Sequence, residues 1–186
     1  MDVEKHVGVS SNLTFKDCYT DGSAGALRAR ALRVRKPTAV LSFQNVSSKQ
    51  SIGAVHVLGS FETRGTVLFD SIRSWGHSGA LLVEGKAELE SGARVHFSNC
   101  TAKRNSGAAT ITEGLMISTE ALMTFETRNR KGTLASLVVW CVLYLYGVWA
   151  LLTIGKVPGT PTARCPLQVQ EWLQFLDMRW TTNLGT

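Results

Sequence analysis

Five phenylalanines, Phe15, Phe43, Phe69, Phe97 and Phe125, recur at intervals of 28, 26, 28 and 28 residues. Each of the first four is followed ten residues later by a Gly-Ala pair: Gly25-Ala26, Gly53-Ala54, Gly79-Ala80 and Gly107-Ala108. A period held this closely, together with a fixed internal offset, restricts the chain to a repeat architecture. Fixed periods of about 20 to 50 residues belong to solenoids, propellers or arrays, in which one small unit buries its apolar face only by stacking on the next.

Aligned on the phenylalanines, each copy shows the same requirements. Two residues before each Phe stands Leu13, Leu41, Val67, Val95 or Met123, the period-two alternation of a strand with one buried face. A polar turn is expected next, over 19–23, 47–51, 73–77 and 101–105. After the Gly-Ala pair a second alternating run carries Leu27 and Ala29, Val55 and Val57, Leu81 and Val83, or Ala109 and Ile111. The stretches around Leu32, Phe61, Leu89 and Met116 supply a third strand, and no copy contains a ten-residue helical pattern. Three short strands in about 27 residues suit one coil of a parallel β-helix, whereas a propeller blade needs about 40 residues and four strands. Four to five coils about 4.8 Å apart make a stub about 20 Å tall. The phenylalanines then lie above one another as an interior ladder, and the Gly-Ala corners let backbones turn tightly or approach closely.

The combination of Phe97-Ser98-Asn99-Cys100 with Gly107-Ala108-Ala109 resembles the repeats of the polymorphic outer-membrane proteins. The resemblance covers residues 11–127, although the Gly-Gly-Ala usual in that family is here Ala24-Gly25, Ile52-Gly53, Ser78-Gly79 and Ser106-Gly107, and its Phe-x-x-Asn is not kept. It implies a short right-handed parallel β-helix of the pectin-lyase-like kind, displayed at a surface as an adhesin; related repeats occur in large eukaryotic membrane proteins. The expected fold is therefore mainly β, with four to five coils over 11–127.

Beyond the repeats, Gly132 to Gly155 carries no charge. As a helix these residues span about 36 Å, enough to cross a hydrocarbon core of about 30 Å. We expect a single transmembrane α-helix over 132–155, which makes the membrane a partner; a buried helix or strand pair packed on the last coil is the alternative. Members of the resembled family end in a β-barrel, so a single helix points to a eukaryotic protein with the same repeat type. Orientation stays open. Arg128, Arg130 and Lys131 before the span, against Lys156 and Arg164 after it, favour cytoplasmic repeats, while the architecture favours an extracellular face. Residues 156–186 read as a Pro/Gly/Thr linker and a short amphipathic helix bearing Val169, Trp172, Leu173, Leu176 and Trp180, which lies at the membrane interface or docks on protein. Neither a secretory signal nor a polar capping segment opens the sequence, and the expectation is a fragment of a longer protein.

The net charge of +6 comes partly from Arg28, Arg30, Arg33, Arg35 and Lys36. Their alternation with Ala29, Ala31 and Val34 puts guanidinium groups on one strand face, either a solvated outer surface or the contact for carbohydrate or another protein. No aromatic side chains interleave to stack bases, which argues against nucleic acid. Cys18 and Cys100 occupy one repeat position three coils apart, about 14 Å at 4.8 Å per coil, too far for a disulfide. Asn12, Asn45 and Asn99 open N-x-Ser/Thr sequons, glycosylation acceptors if the repeats face a secretory lumen. Asn45 and Asn99 also share one repeat position, as does Asp17, so an in-register polar stack accounts for them equally.

The competing class is enzymatic, since parallel β-helices include polysaccharide lyases and hydrolases. That chemistry needs clustered carboxylates, and Asp17, Asp21 and Asp70 are the candidates here. His6, His56, His77 and His96 form no metal motif, and no phosphate loop, nucleophile elbow or dinucleotide fingerprint is present. The sequence therefore points to a membrane-tethered, non-catalytic structural or interaction surface that uses no cofactor. A polysaccharide-acting enzyme whose site is degenerate or missing is the alternative.

Overall fold

The computed structural model describes residues 1–104 and 107–126 and, further on, the backbone of three short strands. The described chain is a mainly β, parallel β-solenoid of about four coils. Strand β1 (Asp2–Val9) precedes the coils. The first coil runs through β2 (Leu13–Lys16), β3 (Tyr19–Thr20) and the long β4 (Leu27–Val34). The second contains β5 (Val40–Gln44), β6 (Ser47–Ser48), β7 (Val55–Val57) and β8 (Phe61–Thr63). The third repeats this with β9 (Thr66–Asp70), β10 (Arg73–Ser74), β11 (Leu81–Val83) and β12 (Lys86–Leu89). The fourth comprises β13 (Arg94–Ser98), β14 (Thr101–Ala102), β15 (Ala109–Ile111) and β16 (Gly114–Ile117), and β17 (Leu122–Glu126) opens the next.

Each strand pairs in parallel with its equivalent in the neighbouring coil. One sheet stacks β2, β5, β9, β13 and β17, with Phe15, Phe43, Phe69, Phe97 and Phe125 in register. Their rings stack nearly parallel, with centroids 5.1, 5.1, 4.8 and 5.0 Å apart from one end of the ladder to the other. Offset stacking at this separation is favourable by about 0.5–1.5 kcal/mol per pair beyond area burial. A second sheet turns a corner. β4 is continuous across it, whereas in later coils the same path is split into β7 and β8, β11 and β12, or β15 and β16. The residues expected as a polar turn contain two-residue strands, β3, β6, β10 and β14, which form a narrow third sheet. Each is too short to show an alternation in sequence.

The interior is apolar in every coil. Leu27, Val55, Leu81 and Ala109 form one buried column, and Leu32, Phe61, Ala87 and Leu115 another. The column after the left-handed turn holds Cys18, Val46, Ile72 and Cys100. Both described thiols are free, and burial pushes the Cys100 thiol up to about 12. The turn itself uses Asp17, Asn45, Ser71 and Asn99, with φ between 49° and 56°. Asn and Asp visit this region most readily among residues with a Cβ.

At the Gly-Ala corners the requirement is close approach rather than unusual dihedrals. A Cβ on Gly25 would lie 1.9 Å from the Gly53 carbonyl oxygen, and one on Gly53 or Gly79 would lie 1.7 Å from the carbonyl oxygen of the next coil's glycine. Stacked backbones meet there with no room for a side chain.

Two features bear on the sequence expectations at the ends of the stack. The opening residues form β1, which pairs in parallel with β4 and packs Val3, Val7 and Val9 against the core, so this sheet edge is covered. Within 132–155, expected as a transmembrane helix, the described residues are strands β18 (Leu137–Val139), β19 (Leu143–Tyr144) and β20 (Leu151–Ile154). They pair in parallel with β15, β16 and β17. The strands are what a fifth coil would contribute, since an apolar run satisfies its backbone hydrogen bonds equally by laddering or by coiling. The rest of that span, and the linker and amphipathic helix expected over 156–186, lie outside the described residues. Among the described residues no helix is long and apolar enough to cross a membrane.

Candidate interaction surface

The outer faces carry the polar chemistry, and the coil register decides which charges meet. On β4 the burial alternation turns Arg28, Arg30 and Arg33 outward. Arg28 Nη1 lies 3.3 Å from Asp2 Oδ2 of β1, and Arg33 Nε lies 2.9 Å from Glu62 Oε2 of β8. One coil further, Arg64 pairs with Glu90, and His56 Nε2 lies 2.8 Å from Glu84 Oε1. Arg35 packs over Gly8. Arg33, Arg35 and Arg64 line an open cleft of about 260 Å³ together with Val34, Glu62 and Glu90. Of the five basic residues singled out in sequence, the structure brings Arg33 and Arg35 into this cleft. Arg28 is drawn to β1, and Arg30 and Lys36 remain exposed and do not line the cleft. Of the five, Arg28 and Arg33 are thus paired with carboxylates, one from β1 and one from the next coil.

A second outer face is less compensated. On the narrow sheet, Tyr19, Ser47, Arg73 and Thr101 are in register, and two residues further along stand Asp21, Lys49, Trp75 and Lys103. The side chains alternate out and in: Arg73, Trp75 and His77 are exposed, while Ser74, Gly76 and Ser78 are buried. Tyr19 and Trp75 are 56% and 59% exposed, the largest fractions of any described aromatic. Lys49 Nζ lies 5.5 Å from the Tyr19 ring centroid and Lys103 Nζ 5.4 Å from that of Trp75. Cation–π contacts of this kind contribute about 0.5–1 kcal/mol at exposed sites.

In the first two coils this face is locally satisfied. The Tyr19 hydroxyl donates to Asp21 Oδ1 at 2.7 Å, and Lys49 Nζ lies 3.0 Å from the same oxygen. These partners, Tyr19 first and then Lys49, hold the Asp21 carboxyl below its ordinary range. The Lys49 ammonium is correspondingly raised, by Tyr19 and then by Asp21. In the third and fourth coils, Arg73, Lys103 and Arg104 have no carboxylate within ion-pair distance among the described residues.

The remaining sequence candidates sit elsewhere. Asp17 is in the left-handed turn and Asp70 directly precedes it: Asn45 Nδ2 donates to Asp17 Oδ1 at 2.7 Å, and Asn99 Nδ2 lies 3.4 Å from Asp70 Oδ1. The sequon residues Asn45 and Asn99 thus belong to a polar stack running along the turn column, and Asn12 accepts from the Val40 amide at 3.1 Å. Asp21 faces the narrow sheet, apart from both. Among the described residues no three His, Cys, Asp or Glu side chains come together to hold a metal ion. Sequence reading missed the Arg73/Trp75/Lys103/Arg104 face because it treated these segments as turns. The available signal was Trp75, a large aromatic within a stretch expected to be solvated.

Comparison with protein-family models, with curated proteins and with solved structures finds no match to this chain. The functional reading rests on its own geometry.

Proposed function

We propose that the protein is a membrane-tethered β-solenoid whose outer faces serve as a structural or adhesin-like interaction surface rather than as a catalyst. The observation that carries the reading is the in-register stacking of outward-facing positions along the coils. Arg73, Trp75 and Lys103 are fixed by strand hydrogen bonds such as Arg73 N to Val46 O at 3.0 Å and Lys103 N to Ser74 O at 3.0 Å. The backbone of such a face is pre-organised, so binding a partner incurs little cost for ordering the main chain. The tether would be 132–155, whose 24 uncharged residues have the length of a membrane span. Carbohydrate or another protein is the proposed contact.

A second reading of that span is favoured by β18, β19 and β20: the apolar run extends the solenoid by one coil, and the chain is not tethered through it. Fractionation of a terminally tagged chain, with alkaline carbonate extraction and protease protection, decides between them. Retention in the membrane pellet is the expected result, with the protected terminus giving the orientation. Release into the soluble fraction would sink the tether and leave the fifth coil.

A further inference from the structure

We propose that the face carrying Arg73, Trp75, Lys103 and Arg104 takes a linear acidic polysaccharide lying along the stack axis. The inference rests on the interaction-surface reading and names the partner and the side chains that hold it. Three observations converge. The cations on this part of the face lack carboxylate partners among the described residues, unlike Arg28, Arg33 and Arg64 on the other face. Trp75 is 59% exposed although Lys103 lies over its ring, so an apolar surface and an ammonium are offered side by side. Lastly, Lys49 and Lys103 stand in one column two coils apart, each over an aromatic ring.

Each of these features matches one property of an acidic glycan. The C–H face of a pyranose stacks on an indole as an apolar plate, while its carboxylate or sulfate meets the neighbouring cation. Two coils rise about 10 Å at the strand spacing of a sheet, comparable to one disaccharide of an extended chain, so a polymer with one acid in every second sugar matches the spacing of Lys103 and Lys49, the latter shared with Asp21. Sugar hydroxyls find partners of both kinds, with the Ser47 and Thr101 hydroxyls and the Gln50 amide beside the charged groups. A nucleic acid, charged at every unit, fits less well: Asp21 stands on the same face and repels a polyanion in proportion to its charge density.

The test uses the full chain, immobilised, with hyaluronan oligosaccharides of defined length as probe because they alternate uronate with a neutral sugar. Carboxyl-reduced hyaluronan, single-stranded DNA and phosphatidylserine vesicles are the competing probes. Hyaluronan is expected to bind, and the reduced polymer is not. Trp75→Ala and Lys103→Ala should each weaken binding roughly tenfold, the scale of a stacking or cation contact at an interface hot spot. Trp75→Phe should retain most of the affinity, and the charge-loss control Lys5→Ala should retain all of it. No hyaluronan binding, equal binding by Trp75→Ala, or tighter binding of DNA or vesicles would overturn the proposal. If instead Arg35→Ala abolishes hyaluronan binding and Trp75→Ala does not, the interaction-surface reading survives and only this face is rejected.

Discussion

Replacing Gly53 with alanine tests the reasoning that the Gly-Ala corner exists for backbone contact between coils. The added Cβ would stand 1.7 Å from the Gly79 carbonyl oxygen and 2.5 Å from Ile72 Cγ2. Ordinary van der Waals contact begins near 3.4 Å, so the coils must part locally by about 1.7 Å, a third of the 5.1 Å between stacked rings. Two hydrogen bonds bridge this gap, Gly53 N to Ser78 O at 3.1 Å and Ala54 N to Ala80 O at 3.2 Å. Neither survives such a displacement. Overpacking costs about 1–3 kcal/mol and each lost hydrogen bond about 1 kcal/mol, giving a destabilisation of about 3–5 kcal/mol for Gly53→Ala. Urea unfolding followed by far-ultraviolet circular dichroism reads it directly. With a slope of about 1–3 kcal/mol per molar urea, the midpoint should fall by about 2 M. Gly22→Ala is the internal control, because its Cβ meets only Thr20 Oγ1 at 3.3 Å, and it should be neutral or slightly stabilising. A Gly53→Ala chain that unfolds within about 1 kcal/mol of the parent would refute the close-approach account.

Two further outcomes follow from the same stack. Phe97 is fully buried with rings 4.8 and 5.0 Å away on either side, whereas Phe15 is only partly buried and has a single ring neighbour. Phe97→Ala should cost about 3–5 kcal/mol and Phe15→Ala about 1–2 kcal/mol by the same unfolding assay, and equal costs would mean that the ladder is not the stabilising element. Burial pushes the Cys100 thiol up to about 12, so the native state keeps it neutral. Its contribution to stability is complete below the unfolded thiol's ordinary value of 9.0 and declines as pH rises from there towards about 12. At pH 8, mass spectrometry after maleimide treatment should find Cys18 labelled well before Cys100. Labelling at equal rates would show the Cys100 column to be open.

The features that a sequence displays in such a chain are those each coil must repeat. A phenylalanine stacks on a phenylalanine, and a backbone touching a backbone needs glycine on every level, so the Phe and Gly-Ala columns are legible at once. What occurs in a single copy is not. β1 has neither marker, and only Val3, Val7 and Val9 tie it to the core. The strands of two residues show no alternation. The span 132–155 is apolar at positions facing both ways, so hydropathy does not separate a membrane helix from a coil. Charge is legible only in part, for a more instructive reason. Arg28 to Lys36 looks like a basic patch when read along the chain, but Arg33 meets Glu62, His56 meets Glu84 and Arg64 meets Glu90 at separations of 29, 28 and 26 residues, one coil each. In a solenoid a neighbour in space is a neighbour at the repeat distance, and a charge run is a patch only if the residues one period away leave it uncompensated. By that criterion part of the uncompensated positive charge lies outside the run. Arg73 stands between Ser47 and Thr101 in its column, and Lys103 follows Trp75 in the next.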